Sequence, residues 1–361
     1  MFRVGISADF KITGTLQPVL ARIFDPLSYV EYDFFDFSPG QPVSPQTIAD
    51  YDAVIMLGAP FGDASFTGAD RLALIARWGV GYDRIDTEAI TRNDVLLSIT
   101  VDAVRRPVAE AILTLMLALA KQLSAKDRLA RSGRWDQRGQ TSGLGLRGKT
   151  IGSVGMGNIG AEMFRLLAPF EPGRKLVYDP YLDPARARGM GVELVSLETL
   201  FAESDFVAVN CPLTVETRGL IDARLFALMK PTAYFINTAR GPIVNGRDLV
   251  EALQRGQLAG AGIDVFEQEP FPADDPITRL DNVILSLHDL AWTDELYQLN
   301  GEHACAAVLR VLRGEIPDHP VNRAVLDRPG FQEKLRCLRA RWAEVAERPR
   351  TADRRPQTNV E

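Results

Sequence analysis

A chain of 361 residues is too long for one small core, so two domains are the natural expectation. Its hydrophobic share of 46% and charged share of 24% are those of an ordinary soluble globular protein. The net charge of −6 speaks against a general nucleic-acid binder, which carries a basic field, and no Lys/Arg block offers a polyanion-binding tail.

The start, MFRVGISADF, lacks the charged-then-apolar layout of a signal peptide. The longest apolar run, Val108 to Ala120, contains Glu110 and Thr114 and falls short of the ~20 residues a membrane span needs, so it reads as a buried helix. Cys211, Cys305 and Cys337 are scattered and odd in number, which suggests neither a disulfide framework nor a zinc site. The histidines His288, His303 and His319 have no close partners, so no metal is expected. A cytoplasmic location fits these features.

In chain order, Phe2–Ser7 reads as a strand, 16–24 as a helix, and 32–37 and 53–57 as further strands. Helical turns are expected over 71–78 and 87–93, then a strand over 95–99. A long apolar helix follows, 107–131, with Pro107 in its first turn. Its apolar surface exceeds what one face of a monomer should bury, which points to a hinge and a homodimer element.

A loop rich in Gly, Ser, Arg and Gln, 132–148, leads into a second α/β unit. Its strands are expected at 150–154, 175–178, 206–210, 233–237, 261–264 and 283–285, with helices at 159–167, 197–202, 223–228 and 247–254 between them. A helix over about 293–313 leaves this unit, and the end from about Pro349, polar and Arg-rich, reads as disordered. Strands alternating with helices imply parallel sheets covered by helices.

The segment TIGSVGMGNIGAEMFRLLA places Gly155, Gly157 and Gly160 between an apolar strand and an amphipathic helix. The first glycine permits the tight turn, the second lets backbone N–H groups approach a pyrophosphate, and the third lets helix and strand pack closely. The helix N-terminus, with Met156, Asn158 and Ile159 around it, favours the anion. The next strand ends in Asp179, near the ~20-residue offset at which a carboxylate binds ribose hydroxyls and repels a 2′-phosphate. The alternative for Asp179 is a strand-end cap. The combination names NAD as the cofactor.

Three later segments complete a pattern: AYFINTARGPIVN with Arg240, GIDVFEQEP with Asp264 and Glu269, and LSLHDLAWTDE with His288. With GMGNIG, YDP, CPLTVETRGLI and RWGVGYDRID, this ordered set resembles the D-isomer-specific 2-hydroxyacid dehydrogenases over roughly residues 50–325. Glycerate, hydroxypyruvate, phosphoglycerate and D-lactate dehydrogenases belong to that family. The resemblance implies hydride transfer between NAD and a 2-keto or 2-hydroxy acid. A protonated imidazole, His288, would supply the proton. Glu269 would orient the ring and favour its protonated form. Arg240 would offer a fixed fork to the substrate carboxylate and polarise its carbonyl. Glu267 is the tempting wrong acid, because the family places the pairing carboxylate just before the proline.

By the same resemblance, Val80 and Gly81 bind the substrate carboxylate through backbone N–H groups, and Asp264 holds the nicotinamide carboxamide. Thr217, Thr238, Ala239, Arg240, His288 and the Cys211–Pro212 turn line the cofactor. Cys211 reads as a buried small side chain rather than a nucleophile. Trp135 either reaches a partner subunit's site or covers a core.

The chain also departs from the family pattern. Asp289 after His288 reads as the cap of the following helix, with added negative potential beside the imidazole as the alternative. Trp292 would wall the substrate pocket. Arg84, Arg105 and Arg106 are extra cations, either solvated or binding a second acidic group on the substrate.

The expected architecture is α/β, with two Rossmann-like domains and a cleft between them. A discontinuous flavodoxin-like substrate domain (1–104 plus 292–330) would receive the inserted NAD-binding Rossmann domain (105–291), with a C-terminal helix and tail over 331–361. A non-enzymatic NAD(H)-sensing protein of the same fold is the alternative, since fold does not dictate function. A formate or phosphite dehydrogenase is a second rival; formate enzymes pair the His with Gln, and Glu269 argues against that one.

Overall fold

The computed structural model describes residues 1–346, and the tail expected to be disordered lies outside them. The chain divides into two compact units, Met1–Thr100 with the chain from Tyr297 onward, and Val101–Leu296 between them. These boundaries fall a few residues from the expected 104/105 and 291/292.

The first unit opens with β1 (Phe2–Ser7), α1 (Asp9–Thr13), α2 (Gln17–Ile23), β2 (Val30–Phe35), α3 (Pro45–Ile48), β3 (Ala53–Met56), β4 (Leu74–Arg77), α4 (Thr87–Arg92) and β5 (Leu96–Ile99). The strands form one parallel sheet in the order β2-β1-β3-β4-β5, the flavodoxin-like arrangement. β3 is buried at every position, as befits an inner strand covered on both faces.

Residues 71–78, expected as a helical turn, instead carry β4. A short apolar run bounded by charges does not reveal its period, and Leu72 to Ala76 are buried because the run is an inner strand between β3 and β5.

The second unit begins with α5 (Val101–Ala120) and α6 (Leu123–Arg131), continues through β6 (Ile151–Val154), α7 (Asn158–Leu167), β7 (Lys175–Tyr178), α8 (Pro184–Gly189), β8 (Glu193–Leu194), α9 (Leu197–Glu203), β9 (Phe206–Val209), α10 (Ala223–Phe226), β10 (Tyr234–Asn237), α11 (Gly246–Gln254) and β11 (Gly260–Ile263), and closes with β12 (Val283–Leu285). Its seven strands are parallel in the order β12-β11-β10-β9-β6-β7-β8, a doubly wound sheet with one strand beyond the usual six.

The single helix expected over 107–131 is two helices bent by 58°. It begins at Val101, so Pro107 sits inside it rather than in its first turn. It breaks where Gln122 adopts φ +53°, a left-handed conformation that cannot continue a helix. Ile112, Leu115, Met116 and Leu119 of α5 pack in one cluster with Met163, Phe164 and Leu167 of α7. The unit's own core therefore takes up the apolar face of α5, while α6 has no buried residue. Among the described residues no single helix is long and apolar enough to cross a membrane.

α12 (Asp294–Leu312) carries the chain into the first unit, where α13 (Pro329–Ala346) ends the described residues. The expected separate segment from 331 instead clusters with that unit. Phe331, Leu335 and Leu338 are buried, and Lys334 Nζ donates to the carbonyls of Leu72, Asn93 and Asp94 at 2.8–3.1 Å. Burial pushes the Lys334 ammonium down to about 8.

Asp52, 1% exposed, fixes the other end of α13. Its carboxylate accepts from Arg71 at 2.9 and 2.7 Å, from Arg341 at 2.5 Å and from the Arg3 N–H at 2.8 Å. Burial alone would raise this carboxyl; the Arg71 and Arg341 guanidinia and the Arg3 amide outweigh it and hold it below its ordinary value. The folded chain thus binds fewer protons here than the unfolded one. The contribution is whole above the ordinary carboxylate pKa of ~3.9 and drains away as the pH falls toward the lowered value. Asp52→Ala is expected to lower the unfolding free energy by about 3–5 kcal/mol in urea titrations near neutral pH, because it strands two arginines. The gap to the wild type should narrow below about pH 4; a gap that widens in acid would refute this account of the cluster.

Candidate active site

The turn between β6 and α7 is shaped by its glycines. Gly155 has φ +97°, and a Cβ there would lie 2.7 Å from the Cys211 nitrogen and 2.9 Å from the Asn210 oxygen. Gly157, which precedes the first residue of α7, is different: a Cβ on it would meet nothing within 4 Å. The space above the helix N-terminus is therefore open, which is what a pyrophosphate approaching backbone N–H groups requires.

Asp179, at the end of β7, accepts from the Met156 N–H through Oδ2 and from the Tyr181 N–H through Oδ1, both at 2.9 Å. Asp179 thus caps its own strand end and stands beside the glycine turn. These residues fit a dinucleotide.

A small network under the turn escaped the sequence reading. Ser153 Oγ donates to the Gly155 carbonyl at 2.6 Å and accepts from Asn210 Nδ2 at 2.8 Å. Its only signal is a polar residue in an otherwise apolar strand. Burial pushes the Cys211 thiol up to about 11, so it stays protonated and unreactive. Thr217 Oγ1 donates to the Pro212 carbonyl at 2.7 Å and accepts from the Thr214 N–H at 2.8 Å, which closes the loop after β9.

The ends of β10, β11 and β12 supply the second cluster. At the end of β10, Asn237 accepts from the Ala239 N–H and donates to the Arg240 carbonyl, each at 3.0 Å, and so folds Thr238–Arg240 back on itself. A Cβ on the next residue, Gly241, would fall 1.9 Å from the Phe266 backbone, so only glycine lets the segment after β10 lie on the segment after β11.

Beyond β11, Asp264 is 4% exposed, and burial pushes its carboxyl up even though it accepts from the Asp289 and Leu290 N–H groups at 3.2 and 3.3 Å. Glu269, whose bond to Pro270 is cis, accepts from the Phe266 N–H at 3.1 Å and places Oε2 2.9 Å from His288 Nδ1. Glu267 turns elsewhere and accepts from the Gly246 N–H at the start of α11. Burial alone would raise the Glu269 carboxyl, but its bond to His288, the Phe266 N–H and the Arg240 charge together hold it below its ordinary value. With Nδ1 facing this carboxylate, Nε2 is the ring nitrogen left for other chemistry.

His288 itself adopts φ +60°, and the turn around it corrects one expectation. Asp289 does not cap the following helix. Its Oδ1 accepts from the Leu287 N–H at 3.2 Å, while the cap of α12 is Thr293, which accepts from the Leu296 N–H at 3.2 Å. α12 starts only at Asp294, beyond the reach of an Asp289 side chain. Trp292 is 36% exposed. Trp135 is 72% exposed with Arg138 over its ring, so it covers no core of its own chain.

Val80 and Gly81 lie in the first unit, in the loop after β4. Arg77 Nε donates to the Gly81 carbonyl at 2.6 Å, and the Gly79 N–H donates to Thr100 Oγ1 at 2.7 Å. Of the extra cations, Arg105 pairs with Asp102 at 3.7 Å, and Arg106 pairs with Glu110 and, at 3.5 Å, with Glu162. Acids of the chain's own helices meet these two charges. Arg84 is exposed, with Nη1 3.5 Å from the Gly58 carbonyl.

Residues 113–289 match the family described as "D-isomer specific 2-hydroxyacid dehydrogenase, NAD binding domain". The chain is 37% identical over 300 residues to a glyoxylate reductase of Korarchaeum cryptofilum, covering 81% of this chain and 90% of the relative. It is 38% identical over 273 residues to a D-3-phosphoglycerate dehydrogenase of Methanocaldococcus jannaschii, covering 75% of this chain and 51% of that longer one. Among solved structures it resembles D-lactate dehydrogenase from Aquifex aeolicus complexed with NAD and lactic acid, with a TM-score of 0.76, 25% identity, and coverage of 86% and 96% of the two chains.

The open face above Gly157 makes a direct prediction. Gly157→Ala is expected to keep the melting temperature of the wild type and to weaken NADH binding about tenfold or more in a fluorescence titration. Gly155→Ala should lower both stability and binding. An unchanged NADH affinity in Gly157→Ala would show that the pyrophosphate does not pass over this turn.

Proposed function

The chain belongs to the D-isomer specific 2-hydroxyacid dehydrogenases, which are NAD-dependent enzymes, and on that premise we propose how its own residues carry the reaction. The substrate is a small 2-keto acid, or a D-2-hydroxy acid in reverse. The observation that carries this reading is the 2.9 Å bond between His288 Nδ1 and Glu269 Oε2.

When bound, NADH supplies the hydride. His288 gives the proton from Nε2 to the carbonyl oxygen and takes it back in the other direction. Glu269 holds the ring by Nδ1 and, as an anion, stabilises the imidazolium. Its depressed pKa supports that role, because a carboxyl that protonated easily would release the ring.

Arg240 binds the substrate carboxylate and polarises the keto group, and its charge already acts on Glu269. Val80 and Gly81 offer backbone N–H groups to a substrate carboxylate. Gly155, Gly157, Gly160 and Asp179 hold the pyrophosphate and ribose, Asp264 takes the carboxamide, and Trp292 walls the substrate.

A homodimer in the cytoplasm belongs to the same reading. α6 has no buried residue, and Leu123 and Trp135 stand 58% and 72% exposed. No observation favours the NAD(H)-sensing alternative.

The test is NADH oxidation with glyoxylate, hydroxypyruvate, pyruvate and oxaloacetate. At least one should be reduced, and Glu269→Gln should lower kcat about 10²-fold or more while NADH affinity stays unchanged. Glu269→Gln turning over at the wild-type rate across the pH range would remove the pair from the mechanism. NADH binding with no oxidation by any 2-keto acid would favour the sensor.

A further inference from the structure

The loop 79–81 is fastened from behind at both ends. Gly79 has φ +118°, and a Cβ there would strike the Arg77 guanidinium at 2.3 Å, so only glycine lets Arg77 fold over the loop to reach the Gly81 carbonyl. At the other end Thr100, 3% exposed, grips Gly79 twice: its N–H donates to the Gly79 carbonyl at 3.1 Å, and its Oγ1 accepts the Gly79 N–H at 2.7 Å. Among the described residues no acceptor within the chain takes the Val80 or Gly81 N–H.

A hydroxyl has one hydrogen. That of Thr100 is committed to Asn300 Oδ1, on α12, so a lone pair is left facing Gly79. Asn300 is fully buried, and its Nδ2 has no hydrogen-bond partner among the described residues. A buried amide donor without an acceptor destabilises a fold, whereas leucine would fill a similar space without that donor, at the cost of the acceptor that the Thr100 hydroxyl uses. Stability alone therefore does not explain an asparagine here, and the use made of its oxygen does.

We infer that Asn300, acting through Thr100, is a positioning residue that sets the loop 79–81 for substrate. The inference rests on the proposed reading of Val80 and Gly81 as donors to the substrate carboxylate. Asn300 orients the Thr100 hydroxyl, the hydroxyl fixes Gly79, and Arg77 fixes Gly81. The two N–H groups between are then held ready rather than ordered at each binding event.

The experiment compares Asn300→Leu, Thr100→Val, Thr100→Ser and Val80→Pro in the full chain, with steady-state kinetics on the best 2-keto acid of the panel, NADH titration and thermal melting. Asn300→Leu and Thr100→Val should raise KM roughly tenfold, with kcat changed less than about threefold and NADH affinity unchanged. Thr100→Ser, which keeps the hydroxyl, should behave as wild type. Asn300→Leu should melt near the wild type, because it removes the orphaned Nδ2 donor while leaving the Thr100 hydroxyl without its acceptor.

A lowered melting temperature with unchanged KM in both variants would make the contact merely structural and overturn the inference. If Asn300→Leu is not recovered folded, Thr100→Val against Thr100→Ser decides in the same way. Val80→Pro deletes one of the two donors. A raised KM there with no change in Asn300→Leu and Thr100→Val sinks the positioning role alone, and an unchanged KM in Val80→Pro sinks the reading of the loop itself.

Discussion

The hydrogen bond between His288 and Glu269 joins side chains from different strand ends, and the sheet around it is built so that they meet. β10, β11 and β12 are neighbours in one parallel sheet, so the chain emerges from all three on the same edge. Arg240 follows the first, Asp264 and Glu269 the second, and His288 the third. Ligands of such sheets gather outside the carboxyl ends of the strands. Gly241 lets the first two segments touch, and the amides of Asp289 and Leu290 tie the third to Asp264. Losing any of these joints would move the imidazole relative to its carboxylate.

Two carboxyls at this edge are driven in opposite directions. Asp264 is buried and pushed up, while Glu269 is held down because an imidazole, an amide and an arginine outweigh its burial. Environments that separate like groups in this way assign them different work. A carboxyl that resists ionisation suits hydrogen bonding to a neutral amide, and one that stays ionised suits an imidazole that gains and loses a proton.

The parts legible in the sequence were those written locally. The glycine turn, Asp179, and the segments holding Arg240, Glu269 and His288 each span a few residues, and their types follow from the chemistry. Most of the parallel strands were read because short, largely apolar runs alternate with helix-period segments. The failures came where the deciding partner is remote. β4 was mistaken because a short buried run carries no period. The helix break depended on the backbone of Gln122, a residue with no special turn propensity, and the cap of α12 on where the turn after His288 ended. The least visible feature was the Thr100–Asn300 contact, whose partners lie 200 positions apart and carry no motif. Ser153 and Asn210, 57 apart, support the cofactor turn in the same unannounced way.

The proposed role of His288 as the proton carrier is read most directly in a single turnover. Enzyme preloaded with NADH is mixed with the best 2-keto acid, and the loss of nicotinamide absorbance is followed in the first turnover. His288→Gln should bind NADH as tightly as the wild type and lose the absorbance at least about 10²-fold more slowly. Decay of bound NADH at the wild-type rate in His288→Gln would contradict the mechanism.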